Sequence, residues 1–176
     1  MITIPTLVDA LAHKWPNIKW TAAGDPNVYS NILSSDTLPT EAEIVAVRVD
    51  LVKSHVIDEL SAQCEASIEN GFISDALGTP HYYDSQIVDQ INLIGAYIMS
   101  SASGQPMPYA TRDLETMVKH YVPHSPEQMS KVLADGTAWK LQHLTKFHMK
   151  RAYVNGLSDI TAILAVTWDS IEPTTS

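Results

Sequence analysis

The stretch from Thr40 to Asn70 constrains this chain most: it runs for about thirty residues without a proline or glycine. At about 1.5 Å per residue, such a helix spans roughly 45 Å. Its start is marked by Pro39-Thr40-Glu41-Ala42-Glu43. Thr40 can cap the free amides of the first turn and Glu43 can close a capping box. Gly71 is a natural stop. Val45, Val49, Val52 and Val56 follow a three-four spacing, with Ile44, Val47 and Leu51 widening the apolar side. The stripe is interrupted at Glu59 and Gln63. It therefore serves either packing inside the chain or contact with other copies.

Before this helix the sequence is irregular. Thr6 to Trp15 predicts a short helix, ended by Pro16. Two short strands, 17–21 and 28–32, flank the turn-like Gly24-Asp25-Pro26-Asn27. Trp15, Trp20 and Tyr29 supply a local core, with Trp20 and Tyr29 also candidates for a recognition surface.

After Gly71 the pattern is again mostly helical. Residues 72–84 read as a compact loop turning at Gly78 and Pro80. Residues 85–100 read as a helix that Asp84 can cap, with a stripe of Ile87, Ile91, Ile94 and Ile98. Gln90 and Asn92 lie near that stripe, and if buried they need hydrogen-bond partners. A Gly/Pro-rich linker over 101–111 allows a short strand at 107–109. Leu114, Met117, Val118 and Tyr121 follow in a weak pattern. Ser125-Pro126-Glu127-Gln128 is a sharp helix start, with Asp135-Gly136 read as the end of a short helix. A further helix runs from Thr137 to Asn155, broken by Gly156, and a last one starts near Ser158 and precedes a frayed tail. These readings give a mainly α fold: a small helix-plus-hairpin module over 1–39, a long connecting helix over 40–71 and a helical bundle-like domain over 72–172.

Composition narrows the function. The chain has 176 residues and a net charge of −9, which disfavours direct binding to a nucleic-acid backbone. No run of about 20 apolar residues predicts a membrane span, and the N-terminus does not read as a signal peptide. A single cysteine, Cys64, lies within the long helix and reads as a buried, inert thiol. No phosphate loop, dinucleotide fingerprint, nucleophile elbow or H-E-x-x-H motif is present. Seven histidines raise the question of a metal. Pro123 separates His120 from His124, however, and His143 and His148 are off a common helical face. Asp75, Asp84 and Asp89 cluster in sequence near Tyr82 and Tyr83, where capping and loop roles outweigh paired-carboxylate chemistry. The expectation is no enzyme, no cofactor and no metal.

Several motifs together resemble a known family. These are Gly71-Phe72, Leu77-Gly78, His81-Tyr82-Tyr83-Asp84, Asp89-Gln90-x-Asn92-Leu93, His124-Ser125-Pro126-Glu127-Gln128 and the closing 162–168 segment. They resemble the DUF4376 group, a domain of unknown function common at the C-terminal ends of bacteriophage tail-fibre and baseplate-associated proteins. Asp84, Asp89, Gln90, Asn92, His124 and Gln128 form its polar motif here, expected to be structural. Residues 9–43, with Trp15-Pro16, Trp20, Tyr29 and Leu38-Pro39-Thr40-Glu41, resemble a small module of phage tail proteins. The resemblance implies a structural subunit of a phage tail, baseplate or fibre-attachment complex, made in the host cytoplasm and residing in the virion tail. It would act as an adaptor through helix packing on tail-fibre or baseplate proteins, as a homo-oligomer for which a trimer is preferred. The alternatives are a tail-fibre assembly chaperone absent from the mature virion, and a host-receptor or glycan-binding module. Val45, Val49, Val52, Val56, Trp20 and Tyr29 are the candidate interface.

Overall fold

A computed structural model describes residues 4–170. The chain forms two compact units, one of Met1–Leu60 with Met149–Ser176 and one of Ser61–His148. The closing tail at 172–176 lies outside the described residues.

In the first unit, helix α1 (Leu7–Lys14) starts at Thr6. The Thr6 hydroxyl accepts from the Asp9 amide at 3.2 Å, and the Asp9 carboxylate accepts from the Thr6 amide at 2.7 Å. Leu7, Ala10 and Leu11 pack with Ile32, Ile44 and Val47, and Trp15, Trp20 and Tyr29 close round them half-buried. The hairpin is present but lies further along the chain than expected, as β1 (Trp20–Ala22) and β2 (Ile32–Ser34) with Trp20 opposite Ser34. The segment expected as its second strand is instead a 3-10 turn over Tyr29–Asn31. Side-chain bonds to the backbone outcompete a ladder there. The Asp25 carboxylate takes the Asn27 amide at 2.8 Å, and the Asn31 amide group donates to the Asp25 carbonyl at 3.2 Å.

The long helix α2 (Glu41–Glu69) forms with the expected capping box, since the Glu43 carboxylate accepts from the Thr40 amide at 2.9 Å. Its buried positions are Ile44, Val47, Val52, Val56, Leu60, Cys64 and Ile68. From Val52 onward they step by four residues, so the buried face bypasses Glu59 and Gln63 and continues to the helix end. At Gly71 the backbone takes φ +92°, and a Cβ there would lie 2.7 Å from the Tyr83 carbonyl oxygen.

The second unit overturns the mainly α reading. Its centre is a four-stranded antiparallel sheet in the order β3-β4-β5-β6. The strands are β3 (Phe72–Ser74), β4 (His81–Tyr83), β5 (Met107–Arg112) and β6 (Lys119–His124). With 56% helix and 14% strand, the chain is an α+β mixture. The stretch read as a compact loop is the β3–β4 hairpin, whose three-residue strands are too short to show alternation. The short strand allowed at 107–109 is present and runs on to Arg112 as β5, while its partner β6 was hidden by Pro123, since prolines ordinarily argue against strands. Pro108 faces Pro123 across one rung. Neither can donate, so this rung is a non-hydrogen-bonded pair, where the amides point away from the partner strand.

Two helices flank this sheet in sequence. Helix α3 (Ile87–Ser103) follows β4, and α4 (Pro126–Gly156) follows β6. The expected break at Asp135-Gly136 does not occur; α4 runs through it as one helix. Gly136 is a packing residue, not a terminator: a Cβ there would stand 2.8 Å from the Phe72 ring. Phe72, Tyr83, Leu93, Met129 and Val132 form the core of this unit, with Tyr97, Tyr109, Leu133 and Trp139 packed around it. A short α5 (Ile160–Leu164), capped by Asp159, belongs to the first unit.

Candidate docking surface

The polar motif is spent largely inside the second unit. Asp84 does not cap α3. Its carboxylate takes a two-pronged contact from Arg112, Nε at 2.9 Å and Nη2 at 3.1 Å, and a third from Lys119 Nζ at 2.8 Å. The Arg112 hydrogen bonds, with Lys119 beside them, hold the Asp84 carboxyl below the usual aspartate range. The bond ties β4 to both strands of the next hairpin. Asp89 assumes the capping role, accepting from the Gln86 amide at 3.3 Å, while its carbonyl takes the Tyr109 hydroxyl at 3.0 Å. Gln90 donates to the Ser85 carbonyl at 2.9 Å and accepts from Lys140 at 3.0 Å. The partners expected for a buried amide are thus present. Asn92, in contrast, is exposed.

His124 is fully buried. Its Nδ1 lies 2.7 Å from the Val122 carbonyl and its Nε2 lies 2.9 Å from the Tyr83 hydroxyl. A carbonyl can only accept, so Nδ1 carries the proton and Nε2 accepts from Tyr83. Burial pushes the imidazole below its ordinary value and the Tyr83 phenol up to about 12, so both groups stay neutral near pH 7. With no exposed surface, this pair fixes the core and offers nothing to a substrate. Gln128 closes the capping box of α4, accepting from the Ser125 amide at 2.8 Å. Cys64 is buried, and burial raises its thiol.

The candidate interface of the long helix separates. Val52 and Val56 are buried within the chain, Val49 is half-buried, and only Val45 is exposed. Trp20 and Tyr29 are half-buried against the first core, and the Tyr29 hydroxyl is committed to the Pro39 carbonyl at 2.7 Å. These residues are not gathered into one surface.

A different surface stands out on α3. Its inner side supplies Leu93 and Ser100, both buried, with Ala96 and Tyr97 packed on the core. Ile87, Val88, Ile91, Ile94, Ile98 and Met99 are all exposed, from 49% at Ile94 to 66% at Val88. The isoleucine stripe legible in the sequence is therefore real, but it faces outward. No Asp, Glu, Lys or Arg lies between Asp89 and Arg112. The outer face is thus apolar and carries no charge over most of its length. Sequence periodicity marks the stripe but does not distinguish a face packed on its own core from one presented to a partner. The available signal was the second, narrower set of Leu93, Ala96, Tyr97 and Ser100 on the opposite side of the helix.

Among the described residues no group of three or more His, Cys, Asp or Glu is placed to hold a metal ion. No described helix is long and apolar enough to cross a membrane.

The model of one family, Domain of unknown function (DUF4376), matches residues 51–169. The chain belongs to that family. Neither a curated protein nor a solved structure matches it. The DUF4376 match takes in the whole four-stranded sheet, α3 and α4, and begins within α2.

Proposed function

We propose that this chain is a non-enzymatic assembly protein: a structural subunit of a bacteriophage tail, baseplate or fibre-attachment complex that holds its neighbours by helix packing. The observation that carries the packing role is the outward, uncharged isoleucine face of α3. Contiguous exposed apolar surface of this kind marks interaction sites in folded proteins. The polar motif supports the same reading, because Asp84, Asp89, Gln90, His124 and Gln128 are engaged in bonds that join the strands to one another or close the starts of α3 and α4. The tail assignment rests on the motif resemblance in 64–100 and 124–128 and on the front module of 9–43.

The test is mass spectrometry of purified intact virions, with copy number measured against the major tail proteins. A fixed low stoichiometry is expected. Complete absence from mature particles, despite expression during infection, would refute the subunit reading and favour an assembly chaperone.

A further inference from the structure

We infer that the outer face of α3 is where copies of this chain meet, three or four of them around a common axis. The inference rests on the assembly role proposed above and names the partner of that face. Ile87, Ile91, Ile94 and Ile98 are spaced four, three and four residues apart. This is the alternation of a coiled-coil seam, with Ile91 and Ile98 at one core position and Ile87 and Ile94 at the other. Isoleucine at both positions favours three- and four-stranded assemblies over two-stranded ones.

Three further observations point to a second copy as the occupant. The first is charge. A chain of net charge −9 repels its own copies, so self-contact needs a surface without acidic groups. The residues beside the seam on its outer side are Val88, Gly95 and Ala102, all uncharged. The second is Gly95. Glycine inside a helix is destabilising relative to alanine. A Cβ at Gly95 would meet no described atom within 4 Å beyond its own helix turn, so no packing among the described residues calls for the glycine. On the outer face it permits a neighbouring helix to approach closely. The third is exposure. Ile87, Val88, Ile91, Ile94, Ile98 and Met99, each at least 49% exposed, leave one apolar patch uncovered along a single helix, which folded monomers rarely do outside an interaction site. The face also lacks the lysines and arginines that flank a helix lying on a lipid surface.

The experiment measures the mass of the purified full chain by light scattering and native mass spectrometry over a range of micromolar concentrations. Three or four times the 19.4 kDa chain mass is expected. The double variant Ile91→Glu with Ile94→Glu places carboxylates on exposed positions and is expected to stay folded and become monomeric. Gly95→Val, at an exposed position where an added Cβ meets no described atom within 4 Å, is expected to weaken assembly at least tenfold with unchanged circular dichroism. A monomeric native chain at tens of micromolar would overturn the inference, as would a folded Gly95→Val or double variant that keeps the native mass. A dimer would overturn the copy number read from the seam. The two proposals fail separately. A monomer found at fixed stoichiometry in virions removes only the self-contact. An oligomer through α3 that is absent from virions removes only the tail assignment.

Discussion

Replacing Gly136 with alanine should destabilise this protein, although the same change in most helix interiors does the opposite. Alanine at a helical position gains about 1 kcal/mol over glycine in intrinsic propensity. Here the new methyl would lie 2.8 Å from Phe72 Cζ and 2.9 Å from Phe72 Cε1. The ring has little room to yield. Phe72 is 4% exposed and stacks on Tyr83 with ring centroids 5.5 Å apart, and Tyr83 is itself fully buried and hydrogen-bonded to His124. Overpacking a well-filled core costs about 1–3 kcal/mol. The steric loss therefore outweighs the propensity gain, and the net effect is a destabilisation of about 1 kcal/mol, up to about 2. For a chain of this size that corresponds to a fall in Tm of roughly 2–8 °C. Urea unfolding followed by far-ultraviolet circular dichroism measures it. The companion Phe72→Leu removes the ring atoms that collide, so in that background Gly136→Ala should be neutral or stabilising. An increase in stability for Gly136→Ala in the native background would refute the claim that Phe72 and Gly136 define each other. So would strict additivity of the two changes.

Other outcomes follow from the same geometry. His124 is buried neutral, so the folded state resists its protonation while the unfolded state accepts a proton near pH 6.5. Stability should fall as pH drops below that value, by up to about 1.4 kcal/mol per pH unit from this group, and His124→Asn should flatten the slope in pH-dependent urea titrations. Asp84 has its carboxyl depressed by Arg112 and Lys119, so its contribution is present above the ordinary aspartate value of about 3.9 and is lost as pH falls through its lower folded value. Asp84→Asn should lower the thermal midpoint at pH 7 and converge on the native protein in strong acid. Val52→Asp would put a carboxylate at a position with no exposed surface, and loss of cooperative unfolding in a thermal scan is the expected result. A folded, native-like Val52→Asp would contradict the assignment of Val52 to the core. The Cys64 thiol should react with a disulfide reagent at least tenfold faster in denaturing urea than in buffer, because it is buried and its thiolate is disfavoured.

Local signals carried a good part of this architecture. The capping boxes at Thr40 and Ser125 mark two helix starts, because their bonds join residues only three apart. The stops at Gly71 and Gly156 are likewise local. The DUF4376 motifs and the isoleucine stripe of α3 are equally plain in the sequence. Whatever depended on pairing between distant segments was not legible. The short strands at 72–74 and 81–83 have too few residues to alternate, and Pro108 and Pro123 conceal a hairpin that works because they share a rung. The Asp84–Arg112 pair joins residues 28 apart, and the Tyr83–His124 bond joins residues 41 apart.

The same division explains the interface. That α2 and α3 each carry apolar stripes at helical spacing is readable along the chain, since side-chain type and period are local properties. How each stripe is used depends on what folds against it. Val52 and Val56 are buried, whereas the sheet already satisfies α3 through Leu93, Ala96, Tyr97 and Ser100. Burial is set by what packs opposite a face, and a helix bearing two apolar sides can turn only one of them inward. The other, in α3, is left outside with no charge on it.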